Sequence, residues 1–105
     1  MTDKRVVLTT CASSEEARRI AHELVERRLA ACVNIIPQIE SVYRWRDEIE
    51  TATEYLLAIK TTAAAFERLR DALRRLHSYE LPECAQIVIE DGSAAYLDWI
   101  ADSVR

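Results

Sequence analysis

Cys11, His77 and Cys84 carry the chain's best soft-metal donors, and Glu80 and Glu83 stand between the histidine and the second cysteine. Thiolate and imidazole together favour copper or zinc over magnesium or calcium, which prefer all-oxygen shells. Whether these groups can meet depends on topology. In a sheet whose first and fourth strands are antiparallel neighbours, a strand ending at Cys11 finishes beside one starting at Cys84. The loop bearing His77, Glu80 and Glu83 leads into that same end. His77, Cys11 and Cys84 are therefore candidate metal ligands. The competing reading keeps the cysteines as small buried hydrophobes and the glutamates as solvated loop acids. Cys32, between apolar neighbours, reads as core.

Other chemistries find little support. His22 falls on the polar face of a helix, and there is no H-E-x-x-H, G-x-S-x-G or paired-carboxylate motif. No enzymatic activity is expected. The single glycine, Gly92, excludes glycine-dependent phosphate loops. Fourteen basic residues against eighteen acidic give a net charge of −4, without the basic footprint of a nucleic-acid binder. The three cysteines have no CxxC spacing, so neither a disulfide framework nor a structural zinc module is indicated. The longest apolar run has five residues, far too short to cross a bilayer. The first residues carry no apolar signal region, and a cytoplasmic location is expected.

The elements that must position these residues follow from periodicity. One domain spans residues 1–105, since no linker, repeat or low-complexity stretch interrupts it. Val6–Cys11 is a short β-branched run, suited to a buried strand. Ser13 and Glu16 have capping-box spacing, and Ala17, Ile20, Ala21, Leu24 and Val25 then recur on one helical face. From Ala31 the period drops to two, with Ile39, Tyr43 and Trp45 sharing a side. A second extended stretch runs from Ile49 to Thr61. Between them Arg46-Asp47-Glu48 must turn without an Asn-Gly pair, and Pro37 marks an edge or a bulge. A helix follows from Thr62 to about His77, then a loop through Pro82 and a strand over Cys84–Glu90. The final helix should turn Leu97, Ile100, Ala101 and Val104 inward. The order βαββαβα is that of an α+β, ferredoxin-like split βαβ sheet with an added C-terminal helix.

One length is awkward. Sixteen extended residues, Ala31 to Arg46, span roughly 50 Å, whereas a domain of this size is about 34 Å across. The hairpin must bend at Pro37 or project. Projection would leave Ile39, Tyr43 and Trp45 in water, and covering them with other subunits is the simplest remedy. A homo-oligomer is expected. RNA recognition on the same scaffold needs aromatics on the central strands, and Val6–Cys11 and Leu56–Thr61 have none. Lys60, which ends a strand, either faces a ligand or reaches water.

Several segments together resemble the CutA family of divalent-cation tolerance proteins. They are Leu24–Ile35, Ser41-Val-Tyr-Arg-Trp45, Leu57-Ala-Ile-Lys-Thr61, His77-Ser-Tyr-Glu-Leu-Pro-Glu83 and Tyr96-Leu-Asp-Trp-Ile100. The resemblance implies a tight homotrimer, similar to the trimeric PII signalling proteins, with the hairpin reaching across to its neighbours. Ile39, Tyr43 and Trp45 would then lie in the trimer interface. It also implies a role in the response to copper and other divalent metal ions, and no enzymatic chemistry. His77 matches the histidine of the family's His-Pro-Tyr-Glu-x-Pro-Glu loop, which implies a copper contact there. Lys60, Tyr79, Glu80 and Glu83 would line a cleft between subunits; the alternatives to a metal-response module are a PII-like sensor binding a small metabolite there and a structural, partner-binding trimer. Thr9 and Leu76 stand where some members place a cysteine and a second histidine. Ser78 replaces the usual proline, and Asp47 a glycine common at the hairpin tip.

Overall fold

The computed structural model describes all 105 residues. Strand β1 (Lys4–Cys11) leads to helix α1 (Ser14–Glu26), then strands β2 (Cys32–Trp45) and β3 (Glu48–Thr62) form the hairpin. Helix α2 (Phe66–Leu76), strand β4 (Ala85–Val88) and helix α3 (Ala94–Ser103) complete the chain. The sheet order is β2-β3-β1-β4 with every pair antiparallel, the split βαβ arrangement in which β1 and β4 are neighbours.

Alternation along β1 and β3 sets the core. Val7, Thr9 and Cys11, with Leu57, Ile59 and Thr61, are buried. Ala17, Ile20 and Leu24 of α1 and Leu69, Ala72 and Leu73 of α2 pack with the apolar members of that row. A smaller cluster joins Ile100 and Val104 to Ala31 and Ala65, and so seats α3. Several element ends differ from the sequence reading. Thr62 still pairs with Lys4 in the sheet and its hydroxyl accepts the Ala65 N–H, so α2 begins at Phe66 rather than Thr62. Ladder pairing of β4 is confined to Ala85–Val88, shorter than Cys84–Glu90. Val25 and Ala101 are exposed, because each lies at the margin of its helix's apolar stripe.

The hairpin both bends and projects. Pairing passes from Ile36↔Leu56 to Ile39↔Glu54, so Pro37 and Gln38 bulge out of edge strand β2 opposite Tyr55 alone. Beyond Cys11↔Tyr55 the ribbon has no third strand. The chain measures 44 × 25 × 23 Å, elongated by this arm. Val42 and Ile49 are 65% and 69% exposed, and Tyr43 and Trp45 are also exposed. Trp45 pairs with Glu48, which leaves Arg46 and Asp47 as the two central turn residues, with φ of 50° and 67°. Left-handed angles at both positions define the turn type that matches strand twist, which Asn-Gly usually supplies. Arg28 and Gln38 are also left-handed, and Gly92 is at none of these sites. Asp47→Gly should therefore relieve backbone strain and stabilise the protein by about 0.5–1 kcal/mol, raising the thermal midpoint by roughly 2–8 °C. A lower midpoint in differential scanning calorimetry would contradict this turn.

Candidate functional site

The loop after α2 is fastened to β1 and α1 residue by residue. His77 caps α2 through its N–H, which donates to the Leu73 carbonyl at 2.9 Å. Its side chain is fully buried. Nε2 lies 2.6 Å from the Thr10 carbonyl, which can only accept, so Nε2 carries the proton. Nδ1 accepts the Tyr79 N–H at 3.2 Å. The imidazole thus takes a place beside β1 beyond Leu8↔Ala85, where β4 no longer pairs. Ser78 N–H donates to Glu16 Oε2 at 2.8 Å. Ser13 Oγ accepts the Glu16 N–H at 3.1 Å, half of the expected capping box, while the Glu16 carboxylate turns to Ser78. Burial opposes ionisation of Glu16, but the hydrogen bonds from Ser78 outweigh it and hold the carboxyl below its ordinary value.

Tyr79 carries the loop onto the arm. Its hydroxyl donates to Glu54 Oε2 at 2.6 Å, and its ring lies 4.8 Å from the His77 ring. Burial and the Glu54 carboxylate push its phenol up. Between loop and arm runs a groove of about 660 Å³, walled by Tyr43 and Trp45 on one side and Tyr79–Glu83 on the other, with Thr10 and Glu54 beneath. At the arm's tip the Arg46 guanidinium stands 5.4 Å over the Trp45 ring and 3.3 Å from Glu80 Oε2.

Tyr79, Glu80 and Glu83 share this groove, but Lys60 does not line it. Lys60 bonds Asn34 and lies six residues along β3 from Glu54, roughly 20 Å away at strand rise. Cys11 Sγ is 4.0 Å from His77 Nε2. Its thiol is pushed up to about 12 by burial, then by Glu16 and Glu54, and so stays protonated at neutral pH. Cys84 packs on the main core, and its thiol is raised by burial, opposed by Arg70. No group of three or more His, Cys, Asp or Glu side chains is close enough to hold a metal ion. Tyr43 and Trp45 line the groove, while Ile39 is half-buried at the bulge. The sequence reading assigned Glu16 to a cap and passed over Glu54. A lone carboxylate in phase with Leu56 and Ala58 was the available signal for the latter.

Glu16 provides a test of the fastening. Ionised Glu16 stabilises the fold above its unfolded value of 4.5, and that contribution disappears as pH falls through the lower folded value. Glu16→Gln should cost about 1–2 kcal/mol at pH 7, with the deficit shrinking below pH 4.5. Urea unfolding at several pH values measures it, and a pH-independent deficit would contradict the assigned role.

Comparison with known proteins accords with this architecture. Residues 5–103 match the family described as CutA1 divalent ion tolerance protein. The divalent-cation tolerance protein CutA of Thermus thermophilus is 47% identical over 100 residues, covering 95% of this chain and 97% of that protein. A Xenopus laevis CutA homolog is 46% identical over 95 residues, 90% of this chain but 63% of its own length. Among solved structures, the Thermus thermophilus protein superposes with TM-score 0.95 at 46% identity, covering 97% of this chain and 99% of that one. A structure described as the periplasmic CutA of Archaeoglobus fulgidus gives 0.94 at 43% identity, covering 97% and 99%. No helix is long and apolar enough to cross a membrane. This chain belongs to the CutA family of divalent-cation tolerance proteins.

Proposed function

We propose that the chain works as a homotrimeric, non-enzymatic binding or regulatory module in the cellular response to divalent metal ions, copper foremost. Membership of the divalent-cation tolerance family supports the metal response, and the observation that carries the trimeric reading is the two-stranded arm, which presents Val42, Tyr43, Trp45 and Ile49 to solvent. An isolated two-stranded ribbon is marginally stable in water, and apolar surface of this kind is normally covered by a partner. In this reading Ile39, Tyr43 and Trp45 enter the trimer interface and the groove becomes a cleft between subunits. Lys60, remote from the groove within one subunit, would reach it only from another. Cytoplasmic action belongs to the same proposal.

Copper or zinc contact is assigned to His77 with Cys11 beside it, and is weak. Cys11 Sγ lies on the Nε2 side of the ring, so Nε2 must give up its proton and the Thr10 carbonyl, and the Cys11 thiol its tightly held proton, before the two can share an ion. A second reading, a sensor of small metabolites, is favoured by the groove itself, which holds both aromatic walls and carboxylates.

Light scattering on the eluted protein should give three times the 12.0 kDa chain mass. A monomer would overturn the trimeric reading. Calorimetric titration with copper(II) should show weaker binding in His77→Ala than in the wild type, and equal binding would remove His77 as the contact.

A further inference from the structure

We infer that the groove receives a small organic cation bearing N–H donors, an amine or guanidinium, with its charge against Glu54. This rests on the reading of the groove as the module's ligand-facing cleft, and not on metal binding by His77. Glu54 is only 7% exposed, yet it lines the groove, and its single hydrogen bond is the Tyr79 hydroxyl on Oε2. Oε1 takes no donor from the protein, and Glu54 pairs with no lysine or arginine. Carboxylates removed from water are ordinarily matched by a cation or by several donors, because desolvation is costly otherwise. The Tyr79 hydroxyl serves Oε2 alone, and Oε1, which is not among the fully buried unpaired atoms, is left open to the groove that Glu54 lines.

The walls decide what kind of cation fits. A divalent metal needs several ligands, and no third His, Cys, Asp or Glu side chain approaches closely enough to complete such a set. Tyr43 and Trp45 instead offer aromatic faces, which attract organic cations. Leu81 and Pro82 on the opposite wall suit an aliphatic body. At the tip the chain's own Arg46 already stands over Trp45 and against Glu80, so these walls accept a guanidinium. Of the groove carboxylates that no such group reaches, Glu54 and Glu83, only Glu54 is buried.

Agmatine, which carries a guanidinium and an amine on an aliphatic chain, is the probe, titrated calorimetrically into the full-length protein. Saturable binding to the wild type is expected. Glu54→Gln, which keeps an acceptor for Tyr79, should weaken it at least about tenfold without changing the thermal midpoint by more than a few degrees. Trp45→Ala should weaken it about three- to fivefold. Absence of saturable binding to the wild type, or equal binding by Glu54→Gln, would overturn the inference. So would zinc binding that Glu54→Gln abolishes while agmatine is inert. Light scattering and copper titration of the same samples keep the two proposals separable. A trimer with a His77-dependent copper site that ignores agmatine loses only the cation inference, whereas a monomer that binds agmatine through Glu54 loses only the trimer.

Discussion

A buried imidazole with both nitrogens engaged is the constraint on which the site depends. His77 donates from Nε2 to the Thr10 carbonyl and accepts the Tyr79 N–H at Nδ1, so one ring joins strand β1 to the loop beyond α2. A backbone carbonyl left buried and unpaired is costly, and here a side chain replaces the missing strand partner. With His77 placed, Ser78 meets Glu16 and Tyr79 reaches Glu54. The loop then has little freedom, and the groove wall it forms is held in place.

The arm meets the opposite difficulty. Its outer half has only its own second strand for hydrogen bonding, and its tip turns through two left-handed residues without glycine. Arg46 partly compensates, since its side chain spans from Trp45 to Glu80 and ties the tip to the fastened loop. Exposed pairs of this kind contribute little individually. The arm therefore stands as the least supported element of the fold, and it bears much of the exposed apolar surface. Those two properties coexist readily where another chain completes the burial.

The architecture was legible in the residues because local signals agreed. The β-branched run before Cys11, the capping serine at Ser13 and the apolar stripe of α1 each point to the same element as their neighbours do. Pro37 announced the bulge, and the arithmetic of strand rise announced the projection. What the residues could not disclose were contacts across long sequence separations. Cys11 does lie near His77, but which atoms of His77 are free depends on Thr10 and Tyr79, and nothing local records that. Cys84 immediately precedes β4, the neighbour of β1, yet it packs against the core rather than joining a ligand cluster. Glu54 looked like one more charged residue on an exposed hairpin, because its burial is created by a loop more than twenty residues away.

The tautomeric state of His77 tests the account at its root. A long-range nitrogen–proton NMR correlation spectrum of the folded protein at neutral pH distinguishes a protonated Nε2 from a protonated Nδ1 by the pattern and shift of the ring nitrogens. The geometry predicts the Nε2–H tautomer for His77, with Nδ1 carrying a lone pair. An Nδ1–H tautomer, or fast averaging between the two, would show that the ring does not bridge Thr10 and Tyr79, and the groove would lose the anchor that shapes it.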